Sequence, residues 1–442
     1  MCDESRFSMK KALSILKLTF IIFLSSCSTQ KKIYNSAKSD VLEAKVLQTA
    51  HVGISIFEPS TNKYWFNYQG DHYFVPASNT KLPTCYAAMK YLGDSLVGFS
   101  VKETEDSIYL VTSGDPTFLN NEFPDQRIFN WLKNSNKTIK VFSNSQNRFD
   151  EYGSGWSWND YKESYMAERS AMPIYGNLIT FELKENGLVV FPAIMKSPYM
   201  DEPIMQLMSL GNKFKVIRDK DQNKFSFWRS DVVFKQDQIP FKTKYGITNL
   251  EFLRDTVKHK DGVFVSFANS FTGFKKVHSQ PTDSLLKPMM HRSDNFFAEQ
   301  TLLMVSNERL GVMNDEKIID TLLKTDFKDL PQKPRWVDGS GLSRYNLFSP
   351  QDFVTILNKM KTEFGMDRIK NILATGNTGT LASYYKAENG YIFAKTGTLS
   401  GVVALSGFLY TKKNKLLIFS VLVNNHNGSA SDVRRAVEKF NE

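Results

Sequence analysis

Cysteine is nearly missing from this chain. Its 442 residues include only Cys2, Cys27 and Cys85. Two of the three fall in the N-terminal stretch, so a disulfide-stapled fold is excluded and Cys85 reads as a small apolar packing residue. Histidine is scarce too. His51, His72, His259, His278, His291 and His426 show no metal-ligand spacing, so no metal is expected. Apolar runs are too short to span a bilayer, which needs roughly 20 residues. Low-complexity tracts and short repeats are lacking. The formal charge is +10, yet the basic residues are scattered, with no basic helix and no aromatic RNA-binding string. Nucleic acid is therefore not an expected partner. A basic balance suits anionic envelope surfaces and substrates that end in carboxylates. The content of hydrophobic residues, 41%, and aromatic residues, 13%, allows large cores in two or three domains.

The N-terminus reads as a targeting segment. Met9-Lys10-Lys11 supplies positive charge, and Leu18 to Leu24 forms a short apolar stretch. Leu24-Ser25-Ser26-Cys27 follows and resembles a bacterial lipoprotein cleavage box, with Cys27 as the lipidated first residue. The alternative is an ordinary cleaved secretory signal. Residues 1–26 are expected to be the signal peptide, and the polar residues 27–45 a tether from the lipid to the body.

Three short strings carry chemistry. They are Ser78-Asn79-Thr80-Lys81, Ser293-Asp294-Asn295 and Lys395-Thr396-Gly397. Alone, the first two are weak signals, because other Ser-x-x-Lys and Ser-x-Asn matches occur in the chain. Context strengthens them. Ser78 follows a predicted strand pair, Val52–Pro59 and Lys63–Tyr68, and opens a helix-like run, so it sits in the field of unpaired N–H groups. Lys81 lies one turn on, on the same side. A serine hydroxyl needs a base, and a lysine amine can serve if burial or a neighbouring cation such as Lys395 lowers its pKa. Ser293 and Asn295, two apart on a connection between helices, are expected to face one cavity. Ser293 would relay a proton from Lys81, and Asn295 would hold a substrate amide. Lys395-Thr396-Gly397-Thr398 ends a strand, and the lack of a side chain at Gly397 lets a substrate backbone lie close. The N–H groups of Ser78 and Thr398 would form an oxyanion hole. Lys395, Thr396 and Thr398 suit a terminal carboxylate. Acyl transfer of this kind needs no organic cofactor.

The chain resembles the penicillin-binding protein 4 type of D-alanyl-D-alanine carboxypeptidase/endopeptidase, the class C low-molecular-mass penicillin-binding proteins. Further strings agree: Ser113-Gly114-Asp115-Pro116-Thr117, Gly155-Trp156-Ser157-Trp158-Asn159-Asp160, Asp338-Gly339-Ser340-Gly341-Leu342-Ser343-Arg344, Gly379-Thr380-Leu381 and Gly401 to Gly407. The likeness runs from about Val52 to the C-terminus and is loose between about Gly187 and Lys260. Nearly half the chain separates Ser78 from Ser293, a gap that resembles the inserted domain of this family.

The resemblance implies an α+β fold. A penicillin-binding/β-lactamase-like catalytic domain, with an antiparallel sheet flanked by helices, spans residues 46–95 and 262–442. A large β-rich inserted domain spans 96–261. Ser78, Lys81 and Ser293 are the expected catalytic residues. Asn295, Lys395, Thr396, Gly397 and Thr398 are the expected substrate-binding residues. The implied activity is cleavage of D-Ala-D-Ala bonds in peptidoglycan stem peptides through a Ser78 acyl-enzyme, with β-lactams acylating the same serine. The implied location is a lipid-anchored position in the bacterial periplasm. Two other readings stay open: a β-lactamase or esterase on the same fold, and a non-catalytic wall-binding lipoprotein.

Overall fold

The computed structural model describes residues 31–185, 187–195, 215–228, 235–258, 263–268 and 270–441. Residues 1–26 and Cys27 lie outside the described residues.

The two ends of the chain build one antiparallel sheet. Its strands are β1 (His51–Glu58), β2 (Lys63–Tyr68), β13 (Ala374–Thr375), β14 (Ile392–Leu399), β15 (Val402–Tyr410) and β16 (Leu416–Asn424), in the order β13-β14-β15-β16-β1-β2. The near-continuous apolar runs of β1, β15 and β16 fit strands covered on both faces. On one face lie the helices Lys81–Tyr91, Thr282–His291, Asn295–Leu310 and Pro350–Phe364. Leu82, Leu302, Phe353, Phe408 and Leu422 share that core. Ser349 caps the last of these helices reciprocally with Asp352, with Pro350 in the first turn, as the sequence indicates. The C-terminal helix Ala430–Asn441 covers the other face, where Val433 and Val437 pack with Phe419 and Val421.

The stretch expected as a tether is folded from residue 31 onward. Residues 31–42 are helical. Ala37 and Val41, one turn apart, are fully buried in the same core as the C-terminal helix, and Asp40 pairs with Lys439 at 2.8 Å. Two apolar residues at i and i+4 suffice for a buried stripe, a signal hidden by the polar composition.

The insertion has its own core, with Phe99, Leu110, Phe118, Phe181 and Phe252 among its members. Its larger sheet holds β3 (Ser95–Glu103), β4 (Ser107–Thr112), β5 (Thr138–Asn144), β11 (Val263–Ala268) and β12 (Lys275–Pro281), in the order β11-β5-β4-β3-β12. A three-stranded sheet of β6 (Leu178–Lys184), β7 (Gly187–Phe191) and β10 (Lys235–Pro240), and the strand pair β8 (Lys215–Arg218) and β9 (Phe225–Trp228), belong to it as well. The expected return at residue 262 is too early. The outgoing strand β3 pairs antiparallel with the returning strand β12, so the insertion's sheet closes only at Pro281. At that junction Thr282 N–H donates to Asp94 C=O at 2.9 Å.

Candidate active site

Ser78 lies in a tight turn, Ala77–Thr80, that runs straight into the helix Lys81–Tyr91. Two glycines hold this turn from opposite sides. A Cβ on Gly341, whose φ is +86°, would fall 1.9 Å from Ala77 O, and one on Gly397 would fall 2.7 Å from Pro76 O and 3.0 Å from Ser78 N. Gly397 is thus needed first by the close approach of the nucleophile's own backbone, before any question of a substrate. Ala77 takes a positive φ of 46°, a conformation that costs a non-glycine residue energy and clusters at functional sites. Asn79, unremarkable in sequence, fastens the turn to β14: its Nδ2 donates to Lys395 C=O at 2.9 Å. Beyond Ala394, β13 no longer pairs with β14, which leaves the strand edge beside Ser78 open.

Lys81 is fully buried. Its Nζ donates to Ser78 Oγ at 3.0 Å, to Asn295 Oδ1 at 2.7 Å and to Ser340 C=O at 2.8 Å. All three ammonium donors are used, and neutral Lys81 would sit within reach of the Ser78 proton. Burial pulls its pKa down to about 8, against the pull of Asp294, Asp338 and Glu299. Lys395, anticipated as the cation that weakens Lys81, is itself the more affected partner. Burial, then Lys81, then Arg434 lower its pKa. Positive charge is better tolerated on Lys81, which faces three carboxylates, than on Lys395, which faces two cations.

The second string is placed differently from the sequence expectation. Asn295 is the first residue of a helix capped by Asp294, whose side chain accepts from Phe297 N–H at 2.8 Å. Ser293 has a φ of 64° rather than an extended backbone. Its Oγ accepts from Lys395 Nζ at 2.8 Å, not from Lys81. Asn295, expected to hold a substrate amide, bonds Lys81 through Oδ1 and donates through Nδ2 to Tyr165 C=O at 3.3 Å. The structure therefore brings these residues together as two hydrogen-bonded groups, Ser78–Lys81–Asn295 and Ser293–Lys395, each with one lysine–serine contact.

Thr396 and Thr398 follow Lys395 on β14. Thr396 Oγ1 donates to Thr380 Oγ1 at 2.8 Å, which ties in the Gly379-Thr380-Leu381 string. Thr398 is exposed and accepts a hydrogen bond from Arg434 Nη2 on the C-terminal helix. The sequence reading missed Arg434. A lone arginine in a closing helix carries no local signal, and only the register of β14 against that helix reveals it. Arg344 Nη2 donates to Ser400 C=O at 2.7 Å, so two guanidinium groups flank the end of the strand. A cavity of about 420 Å³ opens beside Ser293 and Asn295, between the insertion and the catalytic helices. Its lining combines Tyr165, Tyr175 and Phe191 with Glu122, Gln238 and Arg292. Among the described residues there is no cluster of histidine, cysteine and acidic side chains able to hold a metal.

Comparison with known proteins shows the family and the fold. Residues 35–209 and 260–442 match the D-Ala-D-Ala carboxypeptidase 3 (S13) family. The D-alanyl-D-alanine carboxypeptidase DacB of Haemophilus influenzae is 22% identical over 476 residues, covering 94% of each chain. The D-alanyl-D-alanine carboxypeptidase of an Actinomadura species is 25% identical over 450 residues, covering 88% of this chain and 80% of the relative. The crystal structure of penicillin binding protein 4 from Haemophilus influenzae superposes with a TM-score of 0.69 at 20% identity, over 92% of this chain and 97% of that one. That similarity shows the α+β fold expected from the sequence. The chain belongs to the D-Ala-D-Ala carboxypeptidase 3 (S13) family and is a serine-type peptidase.

Proposed function

We propose that the chain hydrolyses the D-Ala-D-Ala bond of peptidoglycan stem peptides through an acyl-enzyme on Ser78. The observation that carries this reading is the 3.0 Å contact between Ser78 Oγ and Lys81 Nζ, made by an amine whose basicity burial has tuned toward neutral pH. In the fraction of molecules with neutral Lys81, its amine takes the hydroxyl proton as Ser78 Oγ attacks the carbonyl carbon between the two D-alanines. The N–H groups of Ser78 and Thr398 receive the oxyanion. As the C–N bond breaks, Ser293 passes a proton to the departing D-alanine amine. Its contact with Lys395 supplies the route by which that proton is replaced. Water then attacks the ester, giving its proton through Ser293 to the Lys395 amine that supplied the first one, while Lys81 returns its proton to the departing Ser78 Oγ.

Lys395, Thr396, Thr398 and Arg434 give the open end of β14 the donors and positive charge that a terminal carboxylate needs. Asn295 orients the peptide when its present contacts yield to the substrate, and the cavity beside it accommodates the rest of the stem. β-Lactams, which carry a strained amide next to a carboxylate, would acylate Ser78 by the same first step. Anchoring by a lipid on Cys27 and a periplasmic location rest on the Leu24-Ser25-Ser26-Cys27 string. Incorporation of a fatty-acid probe that disappears in Cys27→Ala tests the anchor. Incubation with an uncross-linked pentapeptide and with cross-linked dimers tests the activity. Released D-alanine or resolved dimers support it, while an intact pentapeptide and intact dimers refute it.

A further inference from the structure

The hydrogen-bonded anchoring of the nucleophile helix does not end at Lys81. Thr84, one turn later, donates through Oγ1 to Gly339 C=O at 2.8 Å, just as Lys81 donates to Ser340 C=O. Two successive peptide carbonyls of one loop therefore hold the helix. The N–H groups of the same two peptide units end on two buried carboxylates. Ser340 N–H donates to Glu299 Oε1 at 2.7 Å, and Gly341 N–H donates to Asp338 Oδ1 at 2.8 Å. A peptide whose N–H is bonded to a carboxylate presents a more negative carbonyl oxygen to its own donor. Asp338 is locked further by Ser343 N–H at 2.7 Å and Asn346 Nδ2 at 2.7 Å.

Both carboxylates are then fixed from the inserted domain. Trp156 Nε1 donates to Asp338 Oδ2 at 2.9 Å. Arg169 reaches Glu299 at 3.4 Å and Asp315 at 2.6 Å, with its guanidinium 5.7 Å above the Trp156 ring. Arg169 and Glu299 are almost wholly buried. Such a group persists only where every charge is paired and hydrogen-bonded.

We infer that Asp338 and Glu299 are positioning residues that aim and charge-balance Lys81, and that the inserted domain acts in catalysis by holding them through Trp156 and Arg169. This rests on Lys81 being the base for Ser78. The charged groups facing Lys81 are Asp294 and Glu299 from the helix Asn295–Leu310 and its cap, Asp338 from the loop, and Lys395 from β14. Those facing Glu299 are Asp338, Arg169, Asp315 and Lys81 itself. Burial raises Glu299 to about 7, so its charge appears over the range in which Lys81 loses its proton. Removing a carboxylate beside an ammonium favours the neutral amine, and the pH at which Lys81 becomes a base must fall.

The test is the second-order rate of penicillin acylation measured across pH on the intact protein. For the unaltered protein the rate should rise with pH around a midpoint near about 8. Glu299→Gln keeps an oxygen for Ser340 N–H and removes the charge, together with the long contact to Arg169. Its midpoint should move down by about half a unit to one unit. A midpoint that stays in place or rises overturns the electrostatic role, whatever happens to the overall rate. Should Glu299→Gln fail to fold, Trp156→Phe removes one hydrogen bond to Asp338 and keeps a ring beneath Arg169. Its limiting acylation rate should drop about three- to tenfold with penicillin affinity unchanged, a fraction of what loss of a hydrogen bond made directly to the reacting group would cause. An unchanged limiting rate overturns the insertion's part. If the unaltered protein takes no penicillin on Ser78, the parent reading fails, and this inference with it.

Discussion

The catalytic body and the inserted domain solve opposite problems with polar groups. In the catalytic body, lysines are buried without carboxylates in direct contact: Lys81 and Lys395 each reach only hydroxyl, amide and carbonyl oxygens. In the insertion, buried charges are directly paired. Arg169 meets Glu299 and Asp315 across the interface, and Glu168 meets Lys242 at 3.3 Å. The first arrangement lowers lysine pKa values and creates reactivity. The second satisfies charge and creates a rigid support. Reactivity in this molecule comes from withholding ion pairs at one place while supplying them a few residues away.

Lys81→Met sharpens this contrast most strongly. It removes the base and replaces a buried ammonium with an apolar chain of similar length. Acylation by penicillin should fall about 10²–10⁴-fold, whereas thermal stability should hold or rise, because burying an ammonium is costly. A parallel loss of fold would show that Lys81 acts as structural glue instead.

Gly341→Ala comes next. The added methyl meets Ala77 O at 1.9 Å on a backbone of positive φ. A urea titration should show destabilisation of about 1–3 kcal/mol, together with slower acylation, as the Ser78 turn is pushed aside. Unchanged acylation would mean that the turn is not pinned from this side.

Arg434→Gln should raise KM for a pentapeptide with a free C-terminal carboxylate about tenfold and leave kcat nearly unaltered. A C-terminally amidated analogue should respond much less. An equal response to both would deny Arg434 a role in reading the carboxylate. The smallest effect belongs to the insertion's outer surface. Glu182 and Lys184 pair at 3.1 Å with both side chains well exposed. Glu182→Ala should alter stability by no more than about 0.5 kcal/mol and leave acylation untouched.

The reactive centre was legible in the sequence because its geometry is local within each string. Lys81 follows Ser78 by one helical turn, and the Lys395-Thr396-Gly397 string follows directly on a strand-like apolar run, Ile392-Phe393-Ala394. The sheet was legible for a similar reason: apolar runs at both chain ends, with a turn at Thr411 to Asn414, describe β1, β15 and β16. What escaped the sequence was cross-chain pairing. Nothing near Ser293 announces that its partner is Lys395 rather than Lys81, since that choice depends on where two distant buried amines settle. Asn79, Arg434 and the two carboxylates behind Lys81 are ordinary polar residues until the fold brings them to the site. The late closure of the insertion at Pro281 was hidden because β12, Lys-Lys-Val-His-Ser-Gln-Pro, has none of the apolar alternation that marks a strand. Its place is fixed by pairing with β3 alone.

The intact mass of the protein after incubation with a penicillin tests the central claim most directly. A single penicillin-sized addition per chain, mapped by peptide digestion to Ser78 and lost in Ser78→Ala, is the expected result. An adduct on another residue, or none on a folded protein at pH 8, would contradict a lysine-activated Ser78 as the acylated group.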